Sequence, residues 1–448
     1  MRFILLNQYY VPDLAPTGQL LHDLARMLAS RGHHVDVVCS RNSYQGDQRH
    51  RSIERIGGVA VHCVASVGSG RGGAFGRLIS YASFCLLAAV RLMTLTPRPD
   101  VILSLTTPPY LGLLGRWAAF FRGAIHAHWV MDVYPDVMAA ARMADGHGIL
   151  MRLLRAVGRY QFRGAGLVLA PGSLVAQRVR DYYTAPHTPV ASVPLWGPDF
   201  EPTDPASVAE IRDERQWGRD LILLYSGNMG RGHCFEEILE AARRLGPRGP
   251  VWAFVGDGAR AAEIRAFARA HPDARIQLLP YVAPEKVKAS LASADVHLVS
   301  LSPRWQGLIL PSKLQAAFSV GRPVIFVGAA ESEIGQWIAA SGGGWLIREG
   351  DVDSILKAVE QASDPAERAR RAHAGLAFAR AHFDRERNCQ RIAELLEGAA
   401  VRQEGHRGLK PAPAVVLRSS AWQPASGIMK QLDGLREVVK PTSSRSTL

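Results

Sequence analysis

The chain reads as an α/β protein of two Rossmann-like domains facing a central cleft. Three observations carry that reading. At 448 residues the chain exceeds what one hydrophobic core usually organises. Two blocks, one starting at Arg2 and the other at Asp220, each run from an apolar strand through a glycine-bearing turn into an amphipathic helix. After each block, short apolar runs alternate with helical stretches, which is the pattern of parallel sheets covered by helices on both faces.

The first block opens with RFILLNQYY, residues 2–10, and turns through VPDLAPTGQ. In LLHDLARMLASRG, residues 20–32, Leu20, Leu24, Ala25, Met27 and Leu28 recur at helical spacing, and Arg31 and Gly32 end the helix. The strand HHVDVVCS follows. Further on, DVILSLTT leads into the helical PYLGLLGRWAAFF, and AIHAHWVMD, GLVLAPG and TPVASVPLW read as strands. Prolines and acids cluster in residues 196–208, WGPDFEPTDPASV, which marks the boundary between a first domain of residues 1–200 and a second of 201–400. The second block runs from DLILLYSG through NMGRGH into FEEILEAARRLG, with Ile238, Leu239, Ala242 and Leu245 on one face. PVWAFVGDG, RIQLLPYV, DVHLVSLS, RPVIFVG and GGWLI supply the remaining strands, and two helices, AERARRAHAGLAFARAHF and RNCQRIAELLEGAA, are expected to close the second domain. From 401 to 448 the periodicity breaks up. Eight Lys/Arg against three acids there predict a basic, flexible tail.

Residues 78–95, LISYASFCLLAAVRLMTL, are nearly all apolar, but Arg91 interrupts them and their length falls short of the roughly 20 residues that span a bilayer. Two readings stay open: a buried core helix, or a helix in the membrane interface with its arginines at lipid headgroups. The net charge of +13 favours acidic partners, a phosphorylated ligand or an anionic membrane face among them. Nucleic acid is not expected, because no basic run is interleaved with aromatics and no zinc-finger or RNP-like spacing occurs. Five scattered cysteines, without metal-ligand spacing, read as buried apolar residues of a reducing compartment. The N-terminal run turns polar too soon for a secretory signal, so the expected location is cytoplasmic, peripheral on the inner face of the cell membrane.

The most informative stretch is GLILPSKLQAAFSVGRPVIF, residues 307–326. It places Ser312 as an N-cap, Lys313 at a helix start and a helix of small residues before a buried strand. A cation and free backbone N–H groups there suit an anion. Gly227 and Gly230 would let backbone approach phosphate closely, with Asn228 and Arg231 in the same turn. The turn at Gly256 ends another strand.

In order, YSGNMGRGH, FVGDGARAAEIR, LLPYV, ASADVHLVSL, GLILPSK and SVGRPVIF resemble glycosyltransferase family 4, nucleotide-sugar-dependent enzymes of the GT-B fold. NQYYVPDLAPTGQ and WVMDVYPD resemble the first domain of the branch that builds bacterial cell-surface polysaccharides. The resemblance implies a retaining, metal-independent transferase. It implies a nucleotide-sugar as substrate with no cofactor, and a glycan or polyprenyl-diphosphate-linked acceptor. It assigns Arg231 and Lys313 to the donor diphosphate, with Gly18, Gly227, Asn228, Gly230, Gly256 and Ser312 around them, and places Tyr281 and Val282 at the base. Asp132 and His128 are the candidates to orient or deprotonate the acceptor hydroxyl. Many members carry two glutamates eight positions apart. Here Gln306 stands near the first position and Gln315 and Ala316 at the second, so Gln306 is left to hydrogen-bond the sugar and Glu333 to substitute as ribose ligand. Two alternatives remain: a nucleotide-sugar 2-epimerase, and a degenerate nucleotide-sugar-binding subunit.

Overall fold

Alternating side chains on each strand build two helix-covered parallel sheets, seen in a computed structural model that describes residues 1–13, 15–42, 52–67, 74–143, 145–146 and 148–408. The first sheet contains β1 (Arg2–Leu6), β2 (His34–Ser40), β3 (Ile53–Ile56), β4 (Val59–Val64), β5 (Val101–Ser104), β6 (Ile125–Trp129), β7 (Leu167–Ala170) and β8 (Val190–Ser192). Their spatial order is β3-β4-β2-β1-β5-β6-β7-β8, parallel except for the β3/β4 pair. The second holds β9 (Ile222–Ser226), β10 (Val251–Val255), β11 (Ile276–Leu279), β12 (Val296–Leu301), β13 (Val324–Gly328) and β14 (Gly344–Ile347), ordered β11-β10-β9-β12-β13-β14 and wholly parallel. The hairpin β3/β4 was not anticipated: Ile53–Ile56 is a largely exposed edge strand with too few apolar residues to announce itself.

Along β1 the period of two is visible in the packing. Phe3 and Leu5 enter the core beneath the helix Pro16–Ser30, while Ile4 and Leu6 face the helices Ala74–Thr94 and Leu111–Arg122 on the other side. The final helix, Arg385–Gly408, corrects the expected domain membership. It does not close the second domain but returns to the first, where Ile392, Leu396 and Ala399 join Leu21, Leu24 and Leu28 in one cluster. Glu397 fastens it there, accepting 2.8 Å bonds from Arg31 Nε and Nη2 and meeting His33 Nε2 at 2.8 Å. Because it runs to Gly408, residues 401–408 are helical rather than loose; the tail beyond lies outside the described residues.

The apolar helix Ala74–Thr94 lies flat on the first sheet with Phe84, Ala88 and Leu92 fully buried. Arg91 does not reach outward. Its Nη2 donates to His62 Nδ1 at 2.7 Å, and His62 Nε2 donates to Asp36 at 2.8 Å, which also pairs with Arg2.

Strand order changes direction between β1 and β5 in the first sheet and between β9 and β12 in the second. Crevices at such switch points, beyond the carboxyl ends of the strands, are where open α/β sheets hold ligands. Here the two carboxyl ends meet: Val133 N–H, after β6, donates to Leu308 O at 2.9 Å, and Asp132 forms an isolated antiparallel bridge with Ile309.

Candidate functional site

The second sheet's half of the seam is built by two interlocked turns. Gly227 N–H, just after β9, donates to Val255 O at 2.8 Å, and Met229 N–H donates to Asp257 O at 2.8 Å. Gly227 and Gly256 have φ of +118° and +130°, and a Cβ on Gly256 would lie 2.3 Å from Gly227 O. No other residue fits the second turn without displacing the first. Tyr225 Oη donates to Asn228 O at 2.8 Å, tightening the same turn.

Lys313 lies against it. A Cβ on Gly227 would be 3.4 Å from Lys313 Cε, and Lys313 Nζ stands 5.0 Å from the centre of the Tyr225 ring. Its nearest polar partner is His233 Nε2 at 3.3 Å. His233 Nδ1 sits 2.6 Å from Ser300 O, which can only accept, so the proton is on Nδ1 and Nε2 accepts from the lysine. Burial and the adjacent lysine keep this imidazole neutral, well below its ordinary pKa. The same dry surroundings bring the Lys313 ammonium down to about 8. Among the described residues no acidic side chain pairs with Lys313, and its charge is available to an incoming anion. His233 was missed from the sequence, although it sits in the quoted NMGRGH turn; only its contact with Lys313 singles it out.

Arg231 is exposed and spans the seam, its Nη1 3.5 Å from Ala141 O of the first domain. It lines a cavity of about 370 Å³ together with Arg142, His233, Arg260, Trp305 and Glu349. Gly227 and Lys313 touch, Arg231 follows in the same turn, and His233 links the two by lining the cavity and contacting Lys313. Gly230 flanks Asn228 and His233, while Tyr281 Oη reaches Asp257 O at 3.4 Å beside Gly256. Ser312 occupies the N-cap position of the helix Lys313–Ser319, but its side chain caps nothing. Gly18 is brought against Tyr9 and Tyr10 of its own domain, where a Cβ would be 3.1 Å from their backbone. That is a close contact within its own domain.

Across the seam, Asp132 is half-buried and desolvation raises its carboxyl to about 6. His128 departs from the expectation. It is fully buried in β6 with Nδ1 2.8 Å from Ser104 Oγ and Nε2 3.1 Å from Gln161 Nε2, and burial takes it down to about 3. Both nitrogens are engaged in the interior, by Ser104 of β5 and by Gln161 of the covering helix Ile149–Arg163, so His128 is a core residue rather than an acid or base of the cleft.

Glu333 also departs from its expected role. One oxygen accepts from Ser173 N–H at 2.8 Å and the other from Leu174 N–H at 3.0 Å, so the carboxylate caps the first-domain helix Ser173–Tyr182. Burial still raises its pKa above the ordinary carboxylate range against these bonds. It is a clamp between domains, not a free ribose ligand. Gln306 donates from Nε2 to Glu331 O at 3.2 Å, close to that clamp. Gln315 points into the protein: it is fully buried, neither side-chain amide atom has a partner among the described residues, and a Cβ on Gly197 would lie 2.7 Å from its backbone oxygen. Asp136 does not cap its helix; it pairs with Arg155 at 2.9 Å and Arg178 at 2.7 Å.

Residues 17–196 match the family model described as a glycosyl transferase 4-like domain. The chain is 25% identical over 279 residues to the "Probable glycosyltransferase WbjE" of Pseudomonas aeruginosa, covering 61% of this chain and 69% of that one. It is 25% identical over 349 residues to the "Putative colanic acid biosynthesis glycosyl transferase WcaI" of Escherichia coli K12, covering 75% of this chain and 85% of that one. Among solved structures, Anabaena HepE in complex with UDP superposes with a TM-score of 0.62 at 16% identity, over 89% of this chain and 100% of that one.

Proposed function

We propose that this chain, a glycosyltransferase of the GT-B fold, transfers a sugar from a nucleotide-sugar to a lipid-linked precursor of a cell-surface polysaccharide, with retention and without a metal. The observation that carries the donor half is Lys313: an ammonium with no acidic partner among the described residues, set against the glycine turn after β9 at the switch point of the second sheet. As the bond from the anomeric carbon to phosphate breaks, the electron pair leaves with the nucleoside diphosphate. Lys313 and Arg231 stabilise the charge that grows on its β-phosphate, most strongly in a cleft from which water is excluded. The new bond forms from the acceptor hydroxyl oxygen to the anomeric carbon, and Asp132 takes the hydroxyl proton. Retention is carried over from the family resemblance. The two protein cations supply the charge a divalent ion would otherwise bring, so turnover in EDTA should match turnover with magnesium. The printed name of WcaI supports a polysaccharide acceptor, and UDP-sugars are the first donors to try, given the UDP bound by HepE.

Nucleotide-sugar turnover with a polyprenyl-diphosphate-linked acceptor is the test. Lys313→Ala and Arg231→Ala should each lower kcat by about 10²–10³, the usual cost of one charge-stabilising donor. Unchanged turnover in both variants would sink the assignment. Donor consumption without acceptor would point instead to the epimerase, and tight nucleotide binding without turnover to a binding subunit.

A further inference from the structure

Three helices of the first domain, Ala74–Thr94, Leu111–Arg122 and Ile149–Arg163, form a continuous layer, the second packed on both of the others. Their outward faces are apolar where solvated helices are polar. Phe120 is 80% exposed, Ile149 75% and Leu86 68%, with Leu78, Phe121 and Leu153 also exposed beside them. An apolar surface spread over three adjacent helices is more than the scattered exposed residues of an ordinary surface. The three helices hold no Asp or Glu at all, and eight arginines. Of these, Arg77, Arg152, Arg159 and Arg163 are exposed, whereas Arg91 and Arg155 are tied inward to His62 and Asp136.

We propose that this face seats the protein on an anionic bilayer, with the apolar side chains entering the headgroup boundary and the exposed arginines meeting lipid phosphates. The chemistry selects the occupant. A second copy of this chain would set arginine against arginine, since the face has no acid to answer its own charge. A membrane crossing does not fit either: the helix Ala74–Thr94 is long and apolar enough to span, but its Phe84, Ala88 and Leu92 are buried on the sheet, so it lies along the domain. The face runs towards the cleft: Tyr110, at the start of the helix Leu111–Arg122, donates to Leu154 O of the third helix, and its ring centre lies 6.4 Å from that of Tyr134, two residues from Asp132. A lipid-linked acceptor held in the bilayer would then present its sugar beside Asp132. This last point rests on the reading of the acceptor given above; the docking itself does not.

Sedimentation of the full chain with phosphatidylcholine vesicles, with and without phosphatidylglycerol, tests the docking in the absence of donor and acceptor. Pelleting should require the anionic lipid and weaken as salt rises. Arg152→Glu with Arg159→Glu should lower partitioning by about fivefold or more per arginine, and Leu86→Asp with Phe120→Asp should do so by tenfold or more, each with an unchanged melting temperature. Equal pelleting with neutral vesicles, or variants that pellet like the wild type, would overturn the proposal. So would a wild-type dimer that these substitutions dissociate without changing pelleting. Failure of sugar transfer with vesicle binding intact would count against the proposed acceptor and leave the docking surface standing.

Discussion

The depressed pKa of Lys313 makes donor affinity depend on pH in a way that identifies the residue. In the free protein, desolvation brings its ammonium to about 8 from the ordinary 10.5, with His233 Nε2 as its nearest polar partner. A bound diphosphate replaces lost water with negative charge, which favours the ammonium and raises its pKa. The sign follows from comparing the two states. Below pH 8 the lysine is protonated both free and bound, so affinity is flat. Above it, the free protein has lost a proton that binding must restore, and affinity falls by about tenfold per pH unit until the pKa of the complex is reached. If the complex recovers the ordinary value, the total loss is about 300-fold. Calorimetric titration with UDP from about pH 7 to pH 10, in buffers of different ionisation enthalpy, measures both the affinity and the protons taken up. Lys313→Met should bind about 10²-fold more weakly near neutrality and show no slope above pH 8. Lys313→Arg should keep the charge and lose the slope, because a guanidinium does not titrate in this range. A wild-type affinity that is flat across the range, or a slope that survives in Lys313→Met, would refute the placement of this lysine at the diphosphate.

Three further outcomes follow from the seam between the domains. If Asp132 accepts the acceptor proton, kcat/KM for the acceptor should rise with pH through about 6, where its carboxyl ionises in the free protein, and Asp132→Asn should remove that limb and lower kcat by about 10²–10⁴ while leaving UDP affinity alone. A limb retained in the variant assigns the base elsewhere. Glu333→Gln keeps the size of the cap but replaces one accepting oxygen by an amide group that cannot accept from Ser173 or Leu174 N–H, so thermal unfolding should show a loss of about 1–2 kcal/mol, and amide exchange at residues 173–174 should quicken. Unaltered exchange there would mean that the clamp does not hold the helix in solution. His128→Ala should cost about 2–4 kcal/mol of stability through a cavity and stranded partners at Ser104 and Gln161, yet UDP affinity should be unchanged. A selective loss of turnover in stably folded protein would restore His128 to the catalytic list.

Much of the architecture was legible because it depends on local pattern. The alternation in β1 decides which residues face which layer, and glycine at 227 and 256 marks turns that a side chain would block. Lys313 was legible for a related reason: its position after Pro-Ser and before a run of small residues is a local statement. What pattern could not supply was the identity of distant partners. The final helix has an apolar stripe that would suit either domain. Its destination is decided by Leu21, Leu24 and Leu28 and by the pairing of Glu397 with Arg31, 366 positions away. In the same way, an acid at the start of the helix Glu333–Ser341 reads as a local feature, although its carboxylate serves a different helix 160 positions earlier. His128 and Asp132 were both candidates, one within an apolar strand where a histidine is more often a core residue and the other at the strand's exit. Strand geometry separates them: within β6 His128 is enclosed by Ser104 and Gln161, while Asp132 lies past the last ladder position, where the chain leaves the sheet for the seam. The seam itself leaves the least trace, since Val133 N–H to Leu308 O is a bond between backbones that residue identity hardly records. Residue type nominates the groups able to do chemistry, but the bonds that bring Asp132 against the loop leading to Lys313 depend on the path of the main chain. The two cleft halves can therefore be tested independently, by Lys313 for the donor and Asp132 for the acceptor.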